Sequence, residues 1–326
     1  MSSPMSNSVF IINPLSHSVA KHGSCLQRAG VTTKSNSYVL DTFETLPSVV
    51  TDILAAKREH VFIEGGDGTI HGVLSMFLAQ QPHVDKLPSF TLLPGGMTNL
   101  VAAHVGLKRP SRKKITDLVT KPETQKTVTL PLLGTKAADS EDIHYGFLLS
   151  TGALPAATRY CVSHVHSKGI GGSAAVRNTL LKVLFSRGVE REIILKPTPL
   201  SLDLGPDGID GKIGEKIDGD HIITITTTLP HLMIGLKPFW GIGEGGLMIT
   251  HANKDARHII RNIARMLMPG QSASASEKLN RDGFRSWNVD KAVMQLSGEV
   301  VLDGEFLPST KAPISLFATK PLRFIK

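Results

Sequence analysis

VFIEGGDGTIHGVLSMFL, Val61 to Leu78, places three apolar residues ahead of Glu64-Gly65-Gly66-Asp67-Gly68-Thr69 and an apolar pattern at helical spacing behind it. His60 to Ile63 reads as a buried strand. Ile70, Val73, Leu74, Phe77 and Leu78 repeat with the 3.6-residue period of a helix. Glycines after a strand let the backbone come close to a ligand, and a helix beginning directly afterwards offers its positive end to phosphate. The stretch is not a Walker loop, because GxxxxGK[ST] is missing, and it is not GxGxxG. It has an acid where an anion should approach. A carboxylate beside a polyphosphate makes chemical sense if it holds Mg²⁺ or takes a proton from an incoming hydroxyl. Taken alone, Asp-Gly would be a plain turn with Thr69 near a helix start. Five such residues between a strand and a helix point to function.

The same arrangement returns one step later. Phe90-Thr91-Leu92-Leu93 reads as a strand, and PGGMTN then leads through Thr98 and Asn99 into a short helix ending near Gly106. Upstream, the strand Val9 to Ile12 stops at Asn13-Pro14, and Tyr38-Val39-Leu40 is followed by Thr42. Leu46, Val49, Val50, Ile53 and Leu54 mark one face of a helix. Alternating strands and helices imply a parallel sheet covered on both faces, and ligands of such sheets bind at the carboxyl ends of the strands. Four strand ends therefore present a polar residue or glycine loop along one edge.

Beyond Arg109-Pro110-Ser111-Arg112-Lys113-Lys114 the texture changes. β-Branched runs dominate at 127–132, 145–150, 192–196, 222–228 and 246–251, separated by Gly- and Pro-rich turns, as in an antiparallel sheet. Helices are expected at 173–186 and 255–268, and 271–276 reads as a low-complexity loop. The second helix carries Arg257, Arg261 and Arg265 at four-residue spacing. A solvated basic face is the plain reading, and docking on anionic lipid the alternative. Near the end, the strand Val300 to Leu302 meets Asp303-Gly304-Glu305, a turn with two acids, and 314–318 and 322–325 read as strands.

The bulk numbers fit a two-domain globular chain. It has 326 residues, 41% hydrophobic, with mean hydropathy near zero. No window approaches the roughly 20 apolar residues that cross a bilayer. The N-terminus does not read as a secretory signal. The two cysteines, Cys25 and Cys161, fit a reducing cytoplasm and no disulfide framework. The formal charge of +8 suits anionic partners as well as solubility. No basic run is interleaved with aromatics, which argues against nucleic acid.

GGDGT after a strand, PGGxTN about 30 residues later, NPxS after the first strand and a late DGE together resemble the diacylglycerol kinase catalytic-domain family of lipid kinases. That family includes sphingosine kinases and is more distantly similar to NAD kinases. The resemblance runs from about Val9 to Phe324. It implies a Rossmann-like α/β domain that binds ATP, at 1–126 with 312–326 returning to it, and a β-sandwich-like lipid-substrate domain at 127–311. It implies ATP and Mg²⁺ as cofactors and transfer of the γ-phosphate to a hydroxyl of diacylglycerol or a similar lipid at a membrane surface. Carried over by position, Gly65, Gly66, Asp67, Gly68 and Thr69 would cradle phosphates and help place Mg²⁺. Asn13, Thr42, Thr98 and Asn99 would line the nucleotide pocket. Glu305 matches the proton acceptor, with Asp67 acting beside it, and Glu244 stands where an aspartate helps hold a structural Mg²⁺. His71-Gly72, Met97, Glu244 and Met248 depart from the family pattern. A kinase of a soluble substrate such as NAD, or a catalytically weak nucleotide- or lipid-binding protein, are the alternatives. A cytoplasmic location, peripheral to the inner face of the membrane, is expected, and a homodimer stays open as a partner.

Overall fold

The computed structural model describes residues 7–96, 99–107, 110–165, 192, 194–205, 215–232, 237–241, 243–266 and 273–326. The expected helix at 173–186 lies outside them, as do Met97 and Thr98. The chain forms two compact units. The first comprises Met1–Pro131 with Lys320–Lys326, and the second Leu132–Thr319.

The first unit is built on a six-stranded sheet. β1 (Ser8–Ile12), β2 (Ser37–Val39), β3 (His60–Gly65) and β4 (Ser89–Pro94) lie side by side in the order β2-β1-β3-β4, all parallel. The C-terminal strand Leu322–Ile325 adds to β4 in parallel, and β5 (Thr127–Leu130) closes the sheet antiparallel to it. β1 and β3 are buried along their whole length, as strands covered on both faces must be. Phe10, Phe62, Phe77, Phe90 and Phe324 are fully buried in and around this sheet. Each such side chain contributes about 1.5–3 kcal/mol through removal from water.

The chain leaves β1 towards β2 on one side and returns to β3 on the other. That reversal creates a crevice outside the carboxyl ends of β1 and β3, where ligands of parallel sheets bind. The helices are α1 (His17–His22), α2 (Cys25–Ala29), α3 (Leu46–Ala55), α4 (Asp67–Gln80), α5 (Leu100–Val105) and α6 (Arg112–Thr120). The apolar stripes expected for α3 and α4 are buried: Leu46, Val49, Val50 and Ile53 on one, Ile70, Val73, Leu74, Phe77 and Leu78 on the other. α1 and α2 were not legible in the sequence. At six and five residues they are too short to show a helical period.

The second unit is an antiparallel sheet of eleven strands. In chain order these are β6 (Leu133–Ala137), β7 (Ile143–Gly146), β8 (Leu148–Gly152), β9 (Thr198–Asp203), β10 (Lys216–Thr227), β11 (Leu247–Asn253), β12 (Phe284–Val289), β13 (Lys291–Leu296), β14 (Val300–Leu302), β15 (Glu305–Phe306) and β16 (Ile314–Ala318). β10 is the hinge of the arrangement. Its first half pairs with β9, its second half with β8 and β11, and a register shift falls between His221 and Ile223. Leu149, Leu202, Ile249, Met294, Leu302 and Leu316 pack into one apolar core inside this sheet.

Several expectations are corrected here. The run 192–196 is not a strand: Glu192 and Ile194 are helical, and the strand comes later at Thr198–Asp203. Ala153–Val165 forms α7, unread because Gly152 and Pro155 resemble turn residues; a proline in the first turn gives up no intrahelical bond. The helix expected at 255–268 is α8, Ile259–Met266. His258, at φ 53°, holds the chain out of helical geometry just before it. The low-complexity stretch becomes helical from Ala273, as α9 (Ala273–Arg281), because fully buried Leu279 anchors it against Phe284 and Met266. Strand Ile314–Ala318 belongs to the second unit, so the chain returns to the first at Lys320 rather than at 312.

Candidate active site

β3 delivers Glu64 and Gly65 to the carboxyl edge of the first sheet, Gly66 caps α4, and Asp67 to Thr69 form the helix's first turn. The GGDGT stretch is thus the joint between a strand and a helix. The first intrahelical bond is Ile70 N–H to Gly66 O, 3.0 Å, so the N–H groups of Gly68 and Thr69 face outward from the positive helix end.

The second glycine loop lies directly against the first. Gly95 N–H donates to Gly65 O at 2.7 Å. A Cβ on Gly95 would meet the Gly65 Cα at 2.8 Å, and one on Gly96 would meet the Gly66 Cα at 2.6 Å. Side chains are excluded on both sides, and the two backbones form one surface. Asn99, at φ 52°, folds the second loop upon itself: Gly96 N–H donates to its Oδ1 and its Nδ2 donates back to Gly96 O, both at 2.8 Å. Asparagine tolerates this left-handed conformation better than most residues. Asp67 Oδ1 accepts from Val101 N–H at 3.2 Å and so ties the first turn of α4 to the start of α5. Through Asp67, the two loops become a single element.

β1 supplies the third part. Asn13 N–H donates to Glu64 O at 3.0 Å. Its side-chain Nδ2 donates to buried Thr69 Oγ1 at 2.8 Å, and its Oδ1 accepts from Leu15 N–H. Ser16, a residue of the expected NPxS pattern, accepts from Gly66 N–H at 3.2 Å. The structure therefore brings together Asn13, Gly65, Gly66, Asp67, Thr69 and Asn99. Thr42 follows β2 on the same edge, but its hydrogen bonds are local: its Oγ1 accepts from Glu44 N–H and its carbonyl from Thr45. Thr98 lies outside the described residues.

One residue went unremarked in the sequence. Glu64 is buried, and its carboxylate accepts from Ser24 Oγ, Cys25 N–H at 2.7 Å and Leu26 N–H at 3.4 Å. It caps α2 from forty residues away and anchors the strand end that carries the glycines. Burial and the neighbouring Glu64 push the Cys25 thiol up to about 12, so it stays protonated and inert. In sequence Glu64 stood at the head of the glycine loop after the strand, and nothing local reveals its partners.

In the second unit, Asp303 and Gly304 form a two-residue hairpin turn between β14 and β15, with φ of 51° and 94°. The Asp303 carboxylate is taken up by backbone: Phe147 N–H donates to both oxygens, at 3.1 and 3.0 Å, and Leu148 N–H to Oδ1 at 2.8 Å. Glu305 is exposed, opposite Leu302. Of the two acids, Asp303 holds the turn and Glu305 is exposed.

The residues fit a nucleotide's phosphates: two bare glycine backbones, outward N–H groups and a helix end. A Mg²⁺ that arrives with phosphates needs only one or two protein carboxylates, which Asp67 can supply. The resemblance carries Glu244 over as a ligand of a structural Mg²⁺. Glu244 is exposed, and no group of three or more His, Cys, Asp or Glu side chains gathers anywhere among the described residues. Arg261 and Arg265 each approach the Asp282 carboxylate at 3.5 Å, and Arg265 donates to Asn262 Oδ1. The Asn262 hydrogen bond, with the nearby His258 and Arg261, holds Asp282 below the usual carboxylate range. Among the described residues no helix is long and apolar enough to cross a membrane.

Comparison with known proteins agrees with the motifs. Residues 7–130 match the family profile described as the diacylglycerol kinase catalytic domain. No curated protein matches the sequence. The crystal structure of a diacylglycerol kinase from Bacillus anthracis str. Sterne aligns with a TM-score of 0.57 at 13% identity, covering 98% of this chain and 96% of its own. Another from the same organism, a proposed diacylglycerol kinase, aligns with a TM-score of 0.63 at 14% identity over 98% and 95%. At such identities the likeness is one of fold. Residues 7–130 thus match the diacylglycerol kinase catalytic domain that the two glycine loops resembled, in a chain whose fold these neighbours share from end to end.

Proposed function

We propose that this protein is an ATP-dependent kinase that phosphorylates the hydroxyl of diacylglycerol or a similar lipid at a membrane surface. The observation that carries the reading is the fusion of the two glycine loops through Asp67, at the carboxyl edge of a domain that matches a kinase family. ATP with Mg²⁺ would supply the phosphoryl group and neutralise its charge. The chain's own contribution is positioning and electrostatics, as phosphoryl transfer requires. Backbone N–H groups of Gly68 and Thr69 hold phosphate oxygens, while Asn13 and Ser16 keep the Gly66–Thr69 turn in shape. Asp67 would hold the metal, and it ties the second loop to the first turn of α4. Glu305 takes the proton from the acceptor hydroxyl as its oxygen becomes the nucleophile.

A soluble acceptor is the second reading. It is favoured by the pairing of Arg261 and Arg265 with Asp282, which leaves that helix with less free charge for anionic lipid. ADP release from Mg-ATP, measured with diacylglycerol, monoacylglycerol, sphingoid bases, total bacterial lipid and NAD, separates the two. Turnover that depends on a lipid is the expected result. Turnover with NAD alone replaces the lipid by a soluble acceptor, and ATP binding without turnover on any member of the panel favours a binding protein.

A further inference from the structure

The glycine loops account for the phosphates of a nucleotide and leave its nucleoside half unplaced. In open parallel sheets the nucleoside lies outside the carboxyl ends of the strands at the switch point, where an acid accepts from the ribose hydroxyls. The strand beside β1 on that edge is β2. Its pairing runs on through Leu40 N–H to Ile12 O at 2.8 Å, and Asp41, Thr42 and Phe43 follow, all exposed.

Phe43 opens a single 3₁₀ turn, Phe43–Thr45, which Thr42 caps: its Oγ1 accepts from Glu44 N–H at 3.1 Å. The plain account of the ring is a contact that ties this turn to α4, and it explains one edge. A Cβ on Gly72 would meet Phe43 Cε1 at 3.0 Å and Cδ1 at 3.5 Å. Two features are left over. Phe43 keeps 47% of its surface in water, although an aromatic ring has more to gain from burial than most side chains. α4 also carries a glycine at position 72, inside the helix, where only proline is less favourable. The two features answer each other. With a bare hydrogen at Gly72, one edge of the ring reaches the helix and is held there, while the rest of the side chain stays open.

Gly72 follows Gly68 by one turn, about 6 Å along the helix axis. The ring is therefore held one turn away from the Gly68 and Thr69 N–H groups that face outward for phosphate. A ribose bridges that span between base and phosphates. Resting on the kinase reading, we infer that Phe43 is the platform on which the base of the nucleotide stacks, with Gly72 as the residue that positions the ring. An aromatic face stacks on any base. The platform thus separates a nucleoside triphosphate from a bare polyphosphate and leaves the choice of base to other contacts. Asp41, two residues before Phe43, stands where the ribose hydroxyls of a stacked nucleotide would come.

The test titrates Mg-ATP and Mg-tripolyphosphate calorimetrically into wild type, Phe43→Ala, Phe43→Trp and Gly72→Leu, with the melting temperature followed in each. Leucine favours the helix at position 72 and displaces the ring, so a lost ATP site in that variant is not a lost fold. ATP affinity should fall about tenfold or more in Phe43→Ala and Gly72→Leu and return in Phe43→Trp, with tripolyphosphate affinity within about twofold of wild type throughout. ATP and tripolyphosphate weakened alike in Phe43→Ala would make the ring a mere support of the phosphate site and overturn the inference. ATP bound by Phe43→Ala as tightly as by wild type overturns it and leaves the kinase reading standing. Wild type that binds neither ligand removes the kinase reading and the inference together.

Discussion

Two Asp-Gly pairs, Asp67-Gly68 and Asp303-Gly304, look the same in the sequence and do different work. Asp67 opens a helix, and one of its oxygens reaches across to Val101 N–H, coupling the two glycine loops. Asp303 sits at positive φ in a hairpin, and both its oxygens are taken by Phe147 and Leu148 N–H groups. What separates them is the supply of backbone donors. β7 turning into β8 offers two N–H groups to Asp303. The start of α5 offers Asp67 one, at the edge where ligands bind. An aspartate enclosed by its own backbone is structural, and the exposed acid next along the chain, Glu305, is the one to which the proposed function gives the chemistry.

The comparison can be broken by mutation. The largest effect is expected in the glycine surface. Gly96→Ala places a methyl 2.6 Å from the Gly66 Cα and 3.3 Å from the Asn99 Oδ1. Overpacking of this kind costs about 1–3 kcal/mol, and nucleotide affinity should fall further because the two loops are forced apart. Calorimetric ATP binding and a melting curve check both. Asp303→Ala should come next. It leaves the buried N–H groups of Phe147 and Leu148 without their charged acceptor, at about 1.5–3 kcal/mol. Asp67→Asn keeps the shape of the side chain and should cost about 1 kcal/mol of stability for its weakened bond from Val101 N–H, yet reduce turnover far more than it reduces the melting temperature. If the two aspartates show the same ratio of activity loss to stability loss, the distinction drawn between them fails.

Acid sensitivity sharpens the contrast between the units. Burial, with the Arg323 charge beside it, lowers the pKa of His60 in the first unit to about 3. Burial lowers that of His251 in the second to about 4, helped by His221 and Arg285. Each folded imidazole binds fewer protons than its unfolded counterpart. Stability is therefore whole above pH of about 6.5 and is lost as pH falls towards those values. Between pH 6.5 and pH 5, each should withdraw about 1.6 kcal/mol, with a slope that approaches 1.36 kcal/mol per unit. Denaturant midpoints of His60→Gln, followed across that range, should fall less steeply than those of the wild type. An unchanged slope would show that His60 is not buried as a neutral ring. Thr69→Val should be the mildest change, about 1 kcal/mol for the bond from Asn13.

The parts that could be read from the sequence share a physical property: they are long or locally punctuated. α3 and α4 carry enough turns for their apolar stripes to show, and glycine pairs after β3 and β4 mark strand ends directly. Short helices such as α1 and α2 carry too few residues to display a period. The run at 192–196 is β-branched and apolar, and tertiary packing overrides that propensity. In the site, Gly65 to Thr69 were legible as a block. The role of Glu64 was not, because its partners Ser24 and Cys25 lie forty residues away and meet it only after folding. Asn99 was expected to line a pocket, and it is seen to brace Gly96.

The central claim is that Glu305 accepts the acceptor's proton. The most direct measurement is the turnover of Glu305→Gln, with ATP binding and melting temperature followed in the same preparation. The account predicts a loss of about 10²–10⁴-fold in kcat, the range for removing a general base, with ATP affinity and melting temperature unchanged. Turnover that survives within tenfold of the wild type, in a variant that folds and binds ATP normally, would contradict it.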